Sequence, residues 1–473
     1  MKLKRMRTKH FIIILLTIAV LFCATFFARE FFANLFVGIA MDEVSLPEAS
    51  DKVLIFAPHS DDESLAAAEL IKKSLAKGAQ VKVVLATNGD GFVQAFGTQT
   101  IASVSKTEDS VQTGYEHQKE SLAALRLLGL KDENVIFLGY PDRGISSMWS
   151  YNWMNSLPYQ SSDTKSQESP YKNSFTPNAL YSGQSMVQDI KKIIKDFQPT
   201  YVVYPHPSDR HTDHWGLYAF VKFSLTSLDY TPKQELLYLV HKAAWPAPLK
   251  RNRSLFLVPP MSLLNTGTQW LSLSMTDKEV EEKAFVLSQY QSQLRRVGSL
   301  LSSFERKNEL FGVYKDAKLI RYDRHDKDVT PNNDNNVVED PKKDAITLEI
   351  KNSSDITAIH AEVSKENNLH AFIQLNSKPD KLTTYYLNMV FVKNDQGIPM
   401  RLMIKNKKVE AVWQQEASVM DTDGISLKIE GRNLHIIIPN NKIGIYDHIF
   451  INAESSISPY YMDRTAWRMI NVR

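Results

Sequence analysis

The sequence predicts an α/β domain, a mostly parallel sheet with helices on both faces, followed by an all-β sandwich domain. Three observations lead there. From residue 52, short apolar runs alternate with amphipathic helical stretches, the pattern of a parallel sheet with crossover helices. Between residues 326 and 344 the composition turns polar, with two prolines and four asparagines, as at a domain boundary. Beyond it, short strands separated by turn residues replace the helices.

The 473 residues are too many for one compact domain. Residues 11–28, FIIILLTIAVLFCATFFA, are an uncharged run of about the length that spans a bilayer. Residues 1–40 hold six basic side chains against Glu30 alone, and the rest of the chain holds 50 basic against 52 acidic. A basic flank before an apolar run places the N-terminus in the cytoplasm. Residues 1–40 therefore read as a cytoplasmic tail and transmembrane anchor of a single-pass cell-membrane protein, with an extracytoplasmic body. A cleaved signal peptide is the competing reading, with Gly38-Ile39-Ala40 as a small-x-small site. The near-neutral body gives no case for nucleic-acid binding. Cys23 is the only cysteine, which excludes an internal disulfide, a thiolate zinc cluster and a catalytic thiol in the body.

Within 41–325, VLIFAPH (53–59), VKVVLATNG (81–89), VIFLGY (135–140), YVVYPHP (201–207) and ELLYLVH (235–241) read as buried strands. Residues 65–78 and 117–130 read as helices with glycine stops. Thr276 to Glu279 forms a capping box opening a helix that runs toward Arg306. The alternation is Rossmann-like, and ligands of such sheets lie beyond the carboxyl ends of the strands. Residues 326–345 read as a linker. Residues 346–473 read as the sandwich, with strands such as ITLEI, AFIQLN, TTYYLNMVFVK and HIFINAE.

Two polar clusters follow strands of this one sheet: Ala57-Pro58-His59-Ser60-Asp61-Asp62-Glu63, and His206 to His214. Histidine and carboxylate bind a divalent metal without thiols, and three such ligands leave a fourth position open for chemistry. The plainer reading is helix capping by Asp and Ser at strand-to-helix junctions.

These segments resemble the PIG-L (LmbE-like) family of zinc-dependent N-deacetylases over roughly residues 52–312. The family's A-H-P-D-D-E is matched by His59-Ser60-Asp61-Asp62-Glu63, and its H-x-D-H by His211 to His214. Its R-x-x-E-A-x-x-A helix is matched by His117 to Ala124 with Leu128-Gly129, its L-G-x-x-D by Leu138 to Asp142, and its late Ser-Gln by Ser292-Gln293. The resemblance implies an LmbE-like fold and a bound Zn2+ held by His59, Asp62 and His214. It implies Asp61 as general base, His211 as oxyanion stabiliser and acid, and Asp213 as the residue orienting His211. Glu63 and Glu120 would be supporting residues, and His117 and Asp142 would line the substrate pocket. His117 stands where the family has Arg. Ser60 replaces the family proline, removing a φ constraint while keeping a side chain able to cap the next helix.

The expected activity is removal of an N-acetyl group from an N-acetylglucosamine-type sugar of a cell-surface or exported glycan. The alternatives are a non-catalytic glycan-binding or assembly protein that keeps the fold, and a hydrolase of another amide. Residues 141–180 form a long aromatic-rich loop (Trp149, Tyr151, Trp153, Tyr159, Tyr171), read either as a sugar platform or as a loop held down by its own rings. His241 ends a strand near the same edge. The closing Asp463-Arg464-Thr465-Ala466-Trp467-Arg468 faintly resembles β-sandwich carbohydrate-binding domains; the alternative is a structural module with Trp467 in its core and Asp463 paired with Arg464 or Arg468.

Overall fold

The computed structural model describes residues 34, 38, 40–91, 107–321, 323–331, 336–345, 352–393, 396–414 and 418–472. The expected anchor at 11–28 and the expected strand at 346–350 lie outside them. Among the described residues, no helix is long and apolar enough to cross a membrane.

The apolar runs become strands buried on both faces: Val53 through Ala57 are all fully buried, as a parallel sheet covered by helices requires. Among the described residues the sheet has eight strands: β1 (Asp42–Glu43), β2 (Lys52–Ala57), β3 (Gln80–Thr87), β4 (Val135–Tyr140), β5 (Tyr201–Pro205), β6 (Gln234–Tyr238), β7 (Thr268–Ser274) and β8 (Asn308–Tyr314). Their spatial order is β1-β7-β8-β6-β5-β2-β3-β4. Strands β2 to β6 are parallel, and β8 runs antiparallel to β6 and β7. The chain leaves β2 toward β3 and β4, then returns to place β5 on its other side. The β2/β5 junction is therefore the topological switch point, where a crevice opens at the strands' carboxyl ends.

Among the described residues seven helices accompany this sheet: α1 (Asp62–Ala76), α2 (Thr107–Leu127), α3 (Ile145–Ser150), α4 (Gly183–Phe197), α5 (Thr212–Ser227), α6 (Asp277–Leu287) and α7 (Gln291–Ser303). They divide between two apolar clusters. One gathers Leu65, Leu70, Leu125 and Tyr290, the other Met148, Ile190, Phe220 and Trp149. The expected capping box is present at Thr276 and Glu279. The single helix expected toward Arg306 is instead two, because the chain breaks at Tyr290, whose buried hydroxyl bonds Glu63 at 2.7 Å.

The later region consists of two mainly antiparallel sheets around a shared core that includes Ile359, Ile373, Leu387, Phe391 and Ile451. Residues 317–318 and 320–321, placed by sequence in the α/β domain, pair with its strands at 470–471 and 362–363. Residues 336–339, within the expected linker, pair with 358–360. The polar composition of this stretch therefore accompanies chain that is already paired into the β module. The two regions join through aromatic packing. The Trp149 ring lies 5.4 Å from Phe450 and 5.6 Å from Trp467. At Gly397 the backbone comes so close that a Cβ would sit 2.8 Å from Trp153 Cζ2.

Candidate active site

The turn after β2 and the loop after β5 meet at the switch point, and they carry the two polar clusters. A cavity of about 510 Å³ opens there, lined by His59, Asp61, Asp62, His117, Asp142 and His211, among others. His214, Asp213 and Glu63 are fully buried behind that surface.

His59 is the hub. Its Nδ1 lies 3.2 Å from Asp62 Oδ2, and its Nε2 lies 3.1 Å from Asp213 Oδ2 and 3.3 Å from Asp142 Oδ1. His214 Nε2 sits 3.1 Å from the same Asp62 Oδ2. His214 Nδ1 sits 3.1 Å from Asp209 Oδ2. Both buried ring nitrogens of His214 thus face a carboxylate oxygen at ion-pair distance, without a well-angled hydrogen bond. Two ligands of one tetrahedral zinc, each about 2.0–2.1 Å from the ion, are themselves roughly 3.3–3.4 Å apart. The His59–Asp62 and Asp62–His214 spacings are close to that value, as a shared divalent cation requires. Three sets share residues with this trio, His59–His211–His214, Asp62–His214–His241 and His59–Asp142–Asp213, each with donor atoms within 4.8 Å of one another.

Asp61 occupies a left-handed backbone conformation, φ 115° and ψ −33°, at the N-cap of α1. Such strain in a non-glycine residue concentrates at functional sites. Its carboxyl is pushed well above the usual range by burial and by the adjoining charges of Asp62 and Glu63. Glu63 is lifted to about 7 by burial, while accepting from Tyr290 and from the Asp61 N–H. For Asp62 burial raises the carboxyl, but His214 and His59 outweigh it and hold it well below normal.

His211 caps α5: its Nδ1 accepts the Asp213 N–H at 3.2 Å. A neutral ring accepting at Nδ1 carries its proton on Nε2. Burial and the neighbouring His59 push its pKa down to about 3. His214 behaves oppositely: burial lowers it, but the carboxylates of Asp209 and Asp62 raise it to about 9.

Two expectations need correcting. The Asp213 carboxylate does not orient His211; it bonds His59 and accepts the N–H groups of Arg143 at 2.6 Å and Ile145 at 3.1 Å. Its backbone N–H, rather than its carboxylate, bonds His211. Ser60 does not cap α1; its hydroxyl bonds the His117 carbonyl at 2.9 Å and Ser121 at 2.6 Å, tying the turn to α2.

The other expected residues take these places. His117 lines the cavity, with Nδ1 3.0 Å from the Asn88 carbonyl, and burial lowers its pKa. Asp142 reaches His59 and accepts the Gly91 N–H at 3.0 Å. Glu120 stands away from the cavity and holds Ser292 through its N–H (2.8 Å) and hydroxyl (2.6 Å), while the adjacent Gln293 donates to the Ser60 carbonyl. His206 turns away, stacking on Trp270 and bonding Thr268. His241 joins the site, its ring 4.7 Å from His214.

Sequence reasoning missed Asp209 and Arg143. Asp209, fully buried, accepts the N–H groups of Val240, His241 and His211, each at 2.9 Å. Its signal was membership of the 206–214 cluster. Arg143 lines the cavity with φ +61° and pairs with Asp163 at 2.6 Å. Of the aromatic loop, Trp149, Trp153 and Tyr171 are buried, and Tyr151 is half exposed.

Comparison with solved structures finds an N,N'-diacetylchitobiose deacetylase from Pyrococcus horikoshii, 19% identical, covering 56% of this chain and 84% of that one, with a TM-score of 0.33. A conserved protein from Thermus thermophilus is 16% identical over 54% and 84% of the two chains, TM-score 0.32. A 4-carboxy-2-hydroxymuconate hydratase from Pseudomonas putida is 11% identical over 54% and 82%, TM-score 0.29. No curated protein sequence matches. The profile of the PIG-L family, described as GlcNAc-PI de-N-acetylase, matches residues 54–223. That span begins in β2, ends in α5 and contains both polar clusters, so residues 54–223 form a PIG-L family domain.

Proposed function

We propose that the protein is a metal-dependent N-deacetylase of an amino sugar, with zinc as the metal. The observation that carries this reading is the convergence of His59, Asp62 and His214 beside Asp61 and His211 at one cavity of a PIG-L domain. The bound cation would lower the pKa of a water toward about 7 and polarise the acetamide carbonyl.

The chain's own groups supply the rest. Asp61, pointed into the cavity by its strained turn, accepts a proton from the attacking water. The His211 Nε2–H donates to the carbonyl oxygen as negative charge develops there. The C–N bond then breaks as the proton taken up by Asp61 passes to the leaving amine, and acetate is released. Asp209 holds the ring of His214, and Asp142 and Asp213 hold that of His59, the role outer carboxylates play around metal-binding histidines. His117, neutral and buried, gives the sugar an uncharged wall where the family pattern has Arg. In the same reading residues 11–28 anchor the chain with its body extracytoplasmic, and the substrate is a surface or exported glycan.

The test uses the full chain, its Asp61→Ala variant and its His214→Ala variant, measuring zinc content and acetate release from N-acetylated chitooligosaccharides. Wild type should hold about one zinc and release acetate. Asp61→Ala should keep zinc and lose about 10²–10⁴-fold in kcat; His214→Ala should lose both. Zinc-free, inactive wild type would refute the reading.

A further inference from the structure

Beside the catalytic cavity lies a second one of about 360 Å³, and Arg210 and Thr212 line both. Both volumes fall in the range of ligand sites, about 300–1,000 Å³. The second is built by both regions of the chain. The α/β domain contributes Tyr151 and Trp215, and the β module contributes Arg401, Glu454 and Tyr461.

Its chemistry is specific. Tyr151 and Tyr461 remain 51% and 45% exposed at its edge. The Arg401 guanidinium packs over Tyr386 at 4.1 Å and Tyr151 at 5.5 Å while pairing with Glu454 at 3.1 Å. Arg464 covers Trp215 at 4.8 Å and donates to the Asp209 carbonyl at 2.9 Å, tying this wall to the catalytic loop. Asp340 Oδ2 and Asp344 Oδ1 are buried acceptors without a hydrogen bond. Four cationic and four carboxylate side chains line the cleft. Three of the acids, Asp340, Asp344 and Asp463, stand close together, and burial and neighbouring carboxylates raise their pKa values. Flat aromatic faces, fixed planar polar groups and free acceptors together match a neutral polyhydroxylated ring.

Resting on the deacetylase reading, we propose that this interdomain cleft binds the sugar units flanking the one that is deacetylated, so that the substrate is an oligosaccharide or polymer rather than a single amino sugar. The β module then supplies half of the substrate groove.

The experiment compares N-acetylglucosamine with N,N',N'',N'''-tetraacetylchitotetraose on the full chain and on a Tyr151→Ala/Tyr461→Ala variant, whose changes fall on exposed rings. Turnover is measured in the zinc-loaded protein, and binding is measured in the Asp61→Ala background with and without the two tyrosine changes. The expected kcat/KM is at least tenfold higher for the tetrasaccharide, and the tyrosine variant should lose most of that advantage with monosaccharide turnover unchanged. Tetrasaccharide binding should weaken about tenfold. Turnover that is equal for both substrates, or unaffected by the tyrosines, overturns the cleft and leaves the deacetylase reading standing. Tyrosine-dependent tetrasaccharide binding without turnover upholds the cleft and overturns that reading. Failure of the tetrasaccharide to bind overturns the cleft.

Discussion

Asp209 shows how a single side chain organises this site. Its two oxygens satisfy three backbone N–H groups and lie against His214, so it fixes both the loop after β6 and a candidate metal ligand. Asn in its place offers one acceptor and one misplaced donor. Asp209→Asn should weaken zinc binding about 10–100-fold and destabilise the fold by about 1–3 kcal/mol. A zinc competition titration with urea unfolding measures both, and unchanged affinity would show that Asp209 does not hold His214. The ligand types at this scale were legible in the sequence because both clusters directly follow strands of one sheet. The role of Asp213 was not. Residues two apart on a helix do not face each other, so its carboxylate points away from His211 toward His59. Asp209 was hidden for a related reason: two of its three backbone partners, the amides of Val240 and His241, belong to a loop remote in sequence.

At the scale of elements, the strands buried on both faces were legible because their apolar runs are continuous. Strand β8 was not, since it begins with Asn308 and Glu309, polar residues that are nonetheless buried. Glu309 pairs with Lys283 at 2.8 Å and accepts the Glu69 and Leu70 N–H groups, pinning α1 and α6 to β8. The packing leaves Glu69 buried close to Glu309 and Glu279, and burial followed by the Glu309 charge lifts its pKa from 4.5 to about 7. A carboxyl raised by folding binds protons more tightly in the native state. The stability it contributes is therefore complete below pH 4.5 and is lost as pH rises to about 7. Glu69→Gln removes this loss. The variant should unfold at a higher temperature than wild type at pH 8, with the gap shrinking toward pH 5. An identical difference at both pH values would show that Glu69 does not titrate in this window.

At the scale of the whole molecule, the question is whether the β module is a tethered accessory or part of one folded unit. Domain interfaces within a chain are usually modest and polar. Here the shared cluster instead runs from Met148, Trp149 and Phe220 of the α/β domain to Val390, Phe450, Trp467 and Met469 of the module, all buried. The sequence reading left Trp467 undecided between a sugar contact and a core residue. It is 2% exposed, and its ring lies 5.6 Å from Trp149 and 6.4 Å from Trp215. Asp463, rather than pairing with an arginine side chain, accepts the backbone N–H groups of Ile356 and Arg464. Trp215 lies one residue after His214, so the core that holds the module also backs the helix that bears the second motif. Trp467→Ala should remove about 3–5 kcal/mol, the usual cost of deleting a buried tryptophan. Because the cluster belongs to both regions, that loss should fall on both. Hydrogen exchange should report faster opening in β5 and in the strand at 384–393 alike, and thermal unfolding should remain a single transition at a lower temperature. Faster exchange confined to the module would mean that the two regions unfold independently. The module would then be a separable appendage, and the crevice at the switch point would keep its stability without it.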